Sequence, residues 1–401
     1  MIPGSPAANP PLFPDVASRV RYISDRFKNL YGENCRLYRA PGRVNLIGEH
    51  TDYNDGLVMP AAIDLDCWVA ISAREGNTFT VHSANLDETR EFDRASPQPS
   101  HDWSDYIQGV AVMLQRSGHS LGGAKMLVSS NVPIGGGLSS SAALEVAAGY
   151  ALLDTQDSPP NLLQLALACQ RAENEFVGAR CGIMDQFVAC HGKAGHALLL
   201  DCRLLQHRLL PVPPSTRLVI CNTMVRHEIS AGEYNVRRSQ CEEGVRLLAT
   251  AVPGVTALRD ITVKNFEQHR ERLSPILQKR CRHVISENER VLSAAAALEQ
   301  NDLKRFGALM LESHRSLRDD YEVSCSELDL MVELAMETDG VYGARMTGGG
   351  FGGCTVNLVA SEAVADFQRR LSVAYYARVG IVPEICVATP SQGVGRVPAP
   401  Q

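Results

Sequence analysis

Residues 131–146 read NVPIGGGLSSSAALEV, three glycines and three serines running straight into an alanine-rich segment. Alanine and leucine favour helix, so a helix is predicted to start near Ser140. Its first backbone N–H groups have no partner within the helix and carry roughly +0.5 elementary charge, which attracts anions without any basic side chain. Gly135, Gly136 and Gly137 let the preceding backbone approach a bulky anion and take positive φ where needed. Gly135, Gly136, Gly137, Leu138, Ser139, Ser140 and Ser141 therefore form a candidate cradle for a polyphosphate. The serine hydroxyls can donate to phosphate oxygens or coordinate Mg²⁺. The same letters also fit a plain turn whose Ser139 or Ser140 caps the helix. GxxxxGK[ST] occurs nowhere in the chain, and neither do HRD or DFG, so the cradle is neither a Walker loop nor a protein-kinase site.

Two other short motifs sit in the wrong context. GGGFGG at 348–353 satisfies GxGxxG, but the following CTVNLV reads as a strand where the dinucleotide fingerprint requires a helix. A tight hairpin is expected there instead. GHSLG at 118–122 satisfies GxSxG, yet it follows a predicted helix and precedes the strand KMLVSS, the reverse of a nucleophile elbow. Ser120 is left as an ordinary loop serine.

Outward from the glycine stretch, Val16, Val20, Ile23, Phe27 and Leu30 mark one face of a helix over 15–30 that Gly32 can end. Residues 57–81 alternate like strands, and 102–115 predict a helix. Helices follow to about 153 and over 162–176. Residues 195–213 and 216–223 read as several adjacent strands, with a domain boundary just before them near Gly192. Helices dominate 230–337, strand, glycine loop and strand return at VYGARMTGGGFGGCTVNLV, and a last helix covers about 363–377. Strands and helices mixed without regular alternation argue for an α+β fold. The expected organisation is a flexible tail over 1–15, an N-terminal domain over 16–191, a C-terminal domain over 192–390 and a second tail over 391–401.

At 401 residues the chain is long enough for two domains. A formal net charge of −6 gives no electrostatic reason to expect nucleic acid or an anionic membrane as partner. No apolar run approaches the ~18 residues of a membrane span, and the N-terminus lacks the features of a signal peptide. The twelve cysteines include no CxxC pair, and are expected to be reduced and structural in a cytoplasmic protein.

Residues 40–56, APGRVNLIGEHTDYNDG, pack Arg43, Asn45, Glu49, His50, Asp52, Tyr53, Asn54 and Asp55 into a segment with little helix or strand periodicity, read here as a loop. Such density fits a polyol site, because each hydroxyl both donates and accepts, and short carboxylates can take two at once. Together with GGGLSSSAA and RMTGGGFGG, and with CGIMDQF at 181–187 and SHRSLRDDYEVSC at 313–325, it resembles the galactokinases of the GHMP family of small-molecule kinases. The resemblance runs from about residue 35 to residue 390.

That resemblance implies a two-domain GHMP architecture, with an N-terminal ribosomal protein S5 domain 2-like part, a C-terminal ferredoxin-like α/β part and the active site in the cleft between them. It implies transfer of the ATP γ-phosphoryl group to the anomeric hydroxyl of galactose. Sugar contacts then fall on Arg43, Glu49, His50, Asp52, Gly182, Asp185 and Tyr234, and the Mg²⁺ neighbours on Ser140 and Glu173. Asp185 is expected to take or orient the hydroxyl proton, and Arg43 to supply permanent charge to the transition state. Trp103 in DWSDYIQG is the candidate for an adenine pocket, although an indole also serves to fill a core. In GHMP kinases the third glycine motif supports the phosphate loop. Expected partners are galactose and ATP, with neither nucleic acid nor membrane, and the expected state is a monomer or weak homodimer. A non-catalytic galactose and ATP sensor, or a kinase acting on N-acetylgalactosamine, are the alternatives.

Overall fold

The computed structural model describes residues 13–155, 160–226 and 230–398; residues 1–12 of the expected N-terminal tail and 399–401 lie outside it. Helix α1 (Val16–Tyr31) opens on Asp15, whose carboxylate accepts the Ser18 N–H at 2.7 Å, and closes on Gly32 at φ 74°. Then come β1 (Arg36–Asn45), β2 (Leu57–Val58), β3 (Pro60–Arg74), β4 (Thr78–Ser83), β5 (Glu88–Asp93), α2 (Asp105–Arg116) and β6 (Gly123–Ser130). Helices α3 (Ser140–Asp154), α4 (Leu162–Arg171) and α5 (Met184–His191) precede the hairpin of β7 (His196–Asp201) and β8 (Gln206–Pro211). The remainder is β9 (Thr216–Arg226), α6 (Ser230–Leu248), α7 (Val263–His269), α8 (Pro275–Glu299), α9 (Leu303–Asp319), α10 (Ser326–Met336), β10 (Val341–Thr347), β11 (Gly352–Ala360), α11 (Val364–Val379), β12 (Glu384–Ala388) and β13 (Gly395–Val397).

A six-stranded sheet runs β13-β1-β3-β6-β4-β5, parallel only between β4 and β6. One face takes the Val20, Ile23 and Phe27 stripe of α1 against Trp68, Ala70 and Leu127. The main core, holding the buried faces of α2, α3, α4 and α5, covers the other. A four-stranded sheet runs β12-β9-β11-β10, all antiparallel. With helices between β9 and β10 and α11 between β11 and β12, this is the βαββαβ order of the expected ferredoxin-like half. The α+β reading holds. No two cysteines are joined among the described residues, and no described helix is long and apolar enough to cross a membrane.

The structure corrects three readings. Residues 40–45 are not loop: β1 continues through Asn45, pairing Arg43 with Ala62 and Asn45 with Pro60 beyond a bulge between Pro41 and Arg43. This part of β1 is buried on both faces, which removes the alternation that marks a strand, and Pro41 and Gly42 imitate a turn. Residues 391–398 are not a loose tail, since β13 pairs with β1 at Leu37↔Val397 and Tyr38↔Arg396. Three residues are too few for a period to be seen. Finally, the strands after Gly192 are not all neighbours. The β7–β8 hairpin pairs with β2, whereas β9 belongs to the other sheet, so strand partnership changes between Pro211 and Thr216.

Val397 is buried with Phe27 and Trp68. Val397→Asp should lower stability by about 2 kcal/mol, the usual loss for a buried polar group without a partner. An unchanged denaturant midpoint would return this segment to the status of a tail.

Candidate active site

The glycine stretch arrives at α3 as expected, with the helix starting at Ser140. Gly135 and Gly137 have φ of 70° and 73°. Ser139 is also left-handed, at φ 59°, a conformation that costs a non-glycine residue about 1 kcal/mol. Its side chain does not cap the helix. Instead Ser139 Oγ donates to Asp185 Oδ2 at 2.5 Å. The stretch is docked on β1: the Arg43 N–H donates to the Leu138 carbonyl at 3.0 Å and Arg43 Nη1 to the Gly137 carbonyl at 2.6 Å.

Arg43 also grips Asp185 in bidentate fashion, Nε to Oδ1 at 2.7 Å and Nη2 to Oδ2 at 2.8 Å. The arginine is 6% exposed, while the Asp185 carboxylate, on the first turn of α5, is 26% exposed. Asp185 is thus the open end of the pair. Burial opposes the Arg43 charge, but Asp185 and then Glu49 outweigh it and hold the guanidinium pKa above its ordinary value.

The polar segment after β1 forms one wall beside this pair. Glu49 is buried; its Oε2 accepts from Asn45 Nδ2 at 3.1 Å and Arg345 Nη2 at 2.9 Å, and its Oε1 accepts the Gly348 N–H at 3.0 Å. This candidate sugar contact already spans the two halves of the chain. His50 sits at φ 62° with Nδ1 2.8 Å from the Tyr53 hydroxyl, which in turn lies 2.8 Å from that of Tyr321. Its Nε2 is buried without a partner among the described residues, and burial pushes the imidazole pKa down to about 3. The Tyr234 ring stands 5.7 Å from His50 and 5.3 Å from Tyr53. Asp52 lies hard against Gly182, where a Cβ would come within 2.0 Å of Asp52 Oδ2. Burial, and then the Asp185 carboxylate, push Asp52 up to about 7.

Glu173 occupies a single π-helical turn, Ala172–Val177, that extends α4. Such turns recur at functional sites. Glu173 Oε2 accepts from Gln186 Nε2 at 2.7 Å and Oε1 from Ser141 Oγ at 3.4 Å, so the serine that reaches it is the one after Ser140. Burial, followed by Asp185, raises Glu173 to about 7. No group of three or more His, Cys, Asp and Glu side chains among the described residues could hold a metal by itself. The residues nonetheless fit Mg²⁺, which binds through one or two carboxylates plus substrate phosphates and prefers oxygen. The donors here are a carboxylate and serine hydroxyls, and no cation among the described residues is paired with Glu173 to offset its charge.

Trp103 packs on the main core just before α2 with its Nε1 buried and unpartnered; no hydrogen bond or ring contact among the described residues ties it to 135–141. GGGFGG is a hairpin turn between β10 and β11, and a Cβ on Gly348 would lie 3.2 Å from Gly137 Cα. GGGFGG therefore touches the glycine stretch at 135–137. Ser120 lies in the loop between α2 and β6. Asn45 and Tyr53 enter the sequence reading only as members of the polar segment, and Gln186, Tyr321 and Arg345 carry no assigned role there; all five emerge as parts of the site. A signal existed for each, since Asn45 and Tyr53 lie in 40–56, Gln186 in CGIMDQF, Tyr321 in SHRSLRDDYEVSC and Arg345 at the head of RMTGGGFGG, three positions before Gly348.

Known families match the chain in three places. Residues 25–73 match the galactokinase galactose-binding signature, 105–193 the GHMP kinases N terminal domain and 294–377 the GHMP kinases C terminal. A galactokinase of Roseiflexus sp. (strain RS-1) is 48% identical over 379 residues, 94% of this chain and 96% of that one. A galactokinase of Chloroflexus aggregans is also 48% identical, over 92% and 96% of the two chains. Lactococcus lactis galactokinase, solved as a complex with galactose, superposes with a TM-score of 0.91 at 34% identity, covering 94% of this chain and all of that one. With relatives this similar over almost the whole length, the chain belongs to the galactokinase family.

Proposed function

We infer that the chain transfers the γ-phosphoryl group of ATP to the anomeric hydroxyl of galactose, yielding galactose 1-phosphate and ADP. The observation that carries this reading is the bidentate Arg43–Asp185 pair, with Arg43 also bonded to the Gly137 carbonyl and Asp185 to the Ser139 hydroxyl. A fixed positive charge and a carboxylate are thereby clamped to the turn that opens α3. A sensor needs neither group in this arrangement.

Phosphoryl transfer through a loose transition state asks for positioning and charge compensation more than covalent help. The left-handed turn at 135–139 and the first N–H groups of α3 cradle the phosphates. Asp185, held at both oxygens, orients the sugar hydroxyl in line and accepts its proton as that oxygen attacks. Arg43 keeps its charge throughout and meets the growing negative charge between sugar and phosphate. His50, Asp52, Tyr234, the Gly182 backbone and the remaining acceptor capacity of Glu49 hold the other hydroxyls. Bound Mg²⁺ supplies charge neutralisation of the phosphate oxygens, and Glu173 with Ser140 or Ser141 would hold it.

The decisive experiment is a coupled ADP-release assay with Mg-ATP and a panel of galactose, N-acetylgalactosamine, glucose and mevalonate. Turnover with galactose is expected. Binding of galactose and ATP without ADP release would mark a sensor, and preference for N-acetylgalactosamine would move the substrate within the family.

Asp185→Asn should slow phosphorylation by roughly 10²-fold to 10⁴-fold with the fold retained; near-normal turnover by a folded variant would remove the proton-accepting role. Arg43→Met should cost about 3 kcal/mol of transition-state stabilisation, read from kcat/KM. A change confined to the apparent affinity for galactose would make Arg43 a binding residue only. Asp52 titrates near 7 when folded and near 4 when unfolded, so the folded chain binds an extra proton between these values. Between pH 4 and 7 the melting temperature of the ligand-free parent should therefore fall relative to that of Asp52→Asn as pH rises. Equal slopes in the two proteins would count against this environment for Asp52.

A further inference from the structure

Glu145 lies one helical turn beyond Ser141 on α3, and the reaction above makes no use of it. Its side chain and that of Gln186 are both completely buried. Glu145 Oε2 accepts from Gln186 Nε2 at 3.1 Å, and the same amide nitrogen donates to Glu173 Oε2 at 2.7 Å. Two atoms are left over: Glu145 Oε1 and Gln186 Oε1 are each buried with no partner among the described residues. An ionised Glu145 leaves two acceptors without a donor in a region that already holds Glu173 and Asp185. A neutral carboxylic acid resolves this, because it gains one O–H donor while keeping an acceptor. Acid and amide then close head to head, with Gln186 N–H on Glu145 Oε2 and Glu145 O–H on Gln186 Oε1.

This pairing matters because an amide has two orientations related by a flip. In the flipped state Gln186 would turn its oxygen toward Glu173, setting acceptor against acceptor. The acceptor Glu173 therefore selects the unflipped state, and a neutral Glu145 supplies the donor for the Gln186 oxygen that this state turns away from Glu173. We propose that Glu145, as a neutral acid paired head to head with the Gln186 amide, is a positioning residue that holds Glu173 at the edge of the phosphate site. Burial, and then the neighbouring Glu173, hold the Glu145 carboxyl well above its ordinary range, in agreement with this hydrogen-bond pattern. Gln186 directly follows Asp185, so one turn of α5 serves both the sugar side and the metal side.

The proposal rests on Glu173 being a neighbour of Mg-ATP, and the test separates the two ideas. Titration calorimetry would follow Mg-ATP, and ATP in EDTA, into Glu145→Gln, Glu145→Leu, Gln186→Met and Glu173→Ala. Glu145→Gln keeps one donor and one acceptor, and should bind Mg-ATP within about threefold of the parent. Glu145→Leu should weaken Mg-ATP by roughly 10-fold to 100-fold, the usual loss when a metal ligand's support is removed, with metal-free ATP unaffected. Should Glu145→Leu not fold, Gln186→Met is expected to give the same selective loss, and combining it with Glu145→Gln should add nothing. Equal losses in Glu145→Gln and Glu145→Leu would overturn the neutral-acid role, as would unchanged Mg-ATP affinity in Glu145→Leu or Gln186→Met. Normal Mg-ATP affinity in Glu173→Ala would fault the Glu173 assignment itself, whereas loss there with none in Glu145→Leu faults only the positioning role.

Discussion

The two hydrogen bonds between the Arg43 guanidinium and the Asp185 carboxylate are the contact around which the rest of the site is arranged. Removing a cation and an anion from water is costly, and the attraction between them recovers that cost only where further hydrogen bonds complete both groups. The Gly137 carbonyl completes the cation and the Ser139 hydroxyl completes the anion. Both come from the glycine stretch, so satisfying the pair also sets the turn that opens α3. The left-handed conformation of Ser139 is then understandable as a small strain tolerated because its hydroxyl is needed at Asp185.

A second tier of contacts fixes the polar segment after β1. Glu49 joins Asn45, Arg345 and the Gly348 N–H. Helix α8 reaches in from the other side: Glu287 Oε1 accepts the Gly48 N–H at 2.9 Å, and His283 Nε2 lies 3.1 Å from the Glu49 carbonyl. Residues distant in sequence therefore define the backbone path of 48–50. That explains how His50 can be held at positive φ in a segment free of regular structure.

The chemistry of this site was legible in the sequence to a greater degree than its geometry. Three glycines before an alanine-rich run announce a bare turn at a helix start, and the helix does start at Ser140. Arg43 and Asp185 stood out through motif resemblance, but nothing local says that residues 142 positions apart would share two hydrogen bonds. Strand β1 escaped notice because burial on both faces erases alternation, and β13 because it is too short to have a period. The role of Arg345 was hidden for a different reason. On a strand, a single arginine looks like a solvent-facing position, and the Glu49 carboxylate and Asn45 carbonyl that accept from it make complete burial tolerable.

Strand β1 carries Arg43 and is paired along its outer edge by β13, residues 395–397. During synthesis, the strand that bears the key cation leaves the ribosome well before the partner that covers its edge. Until then β1 presents unpaired N–H and C=O groups over 37–39, and such an edge invites pairing with the wrong chain. Contacts so far apart in sequence also slow folding, because the intervening loop must be closed before they contribute. The lifetime of the nascent chain with an open β1 edge is thus set by how fast some 350 further residues are translated.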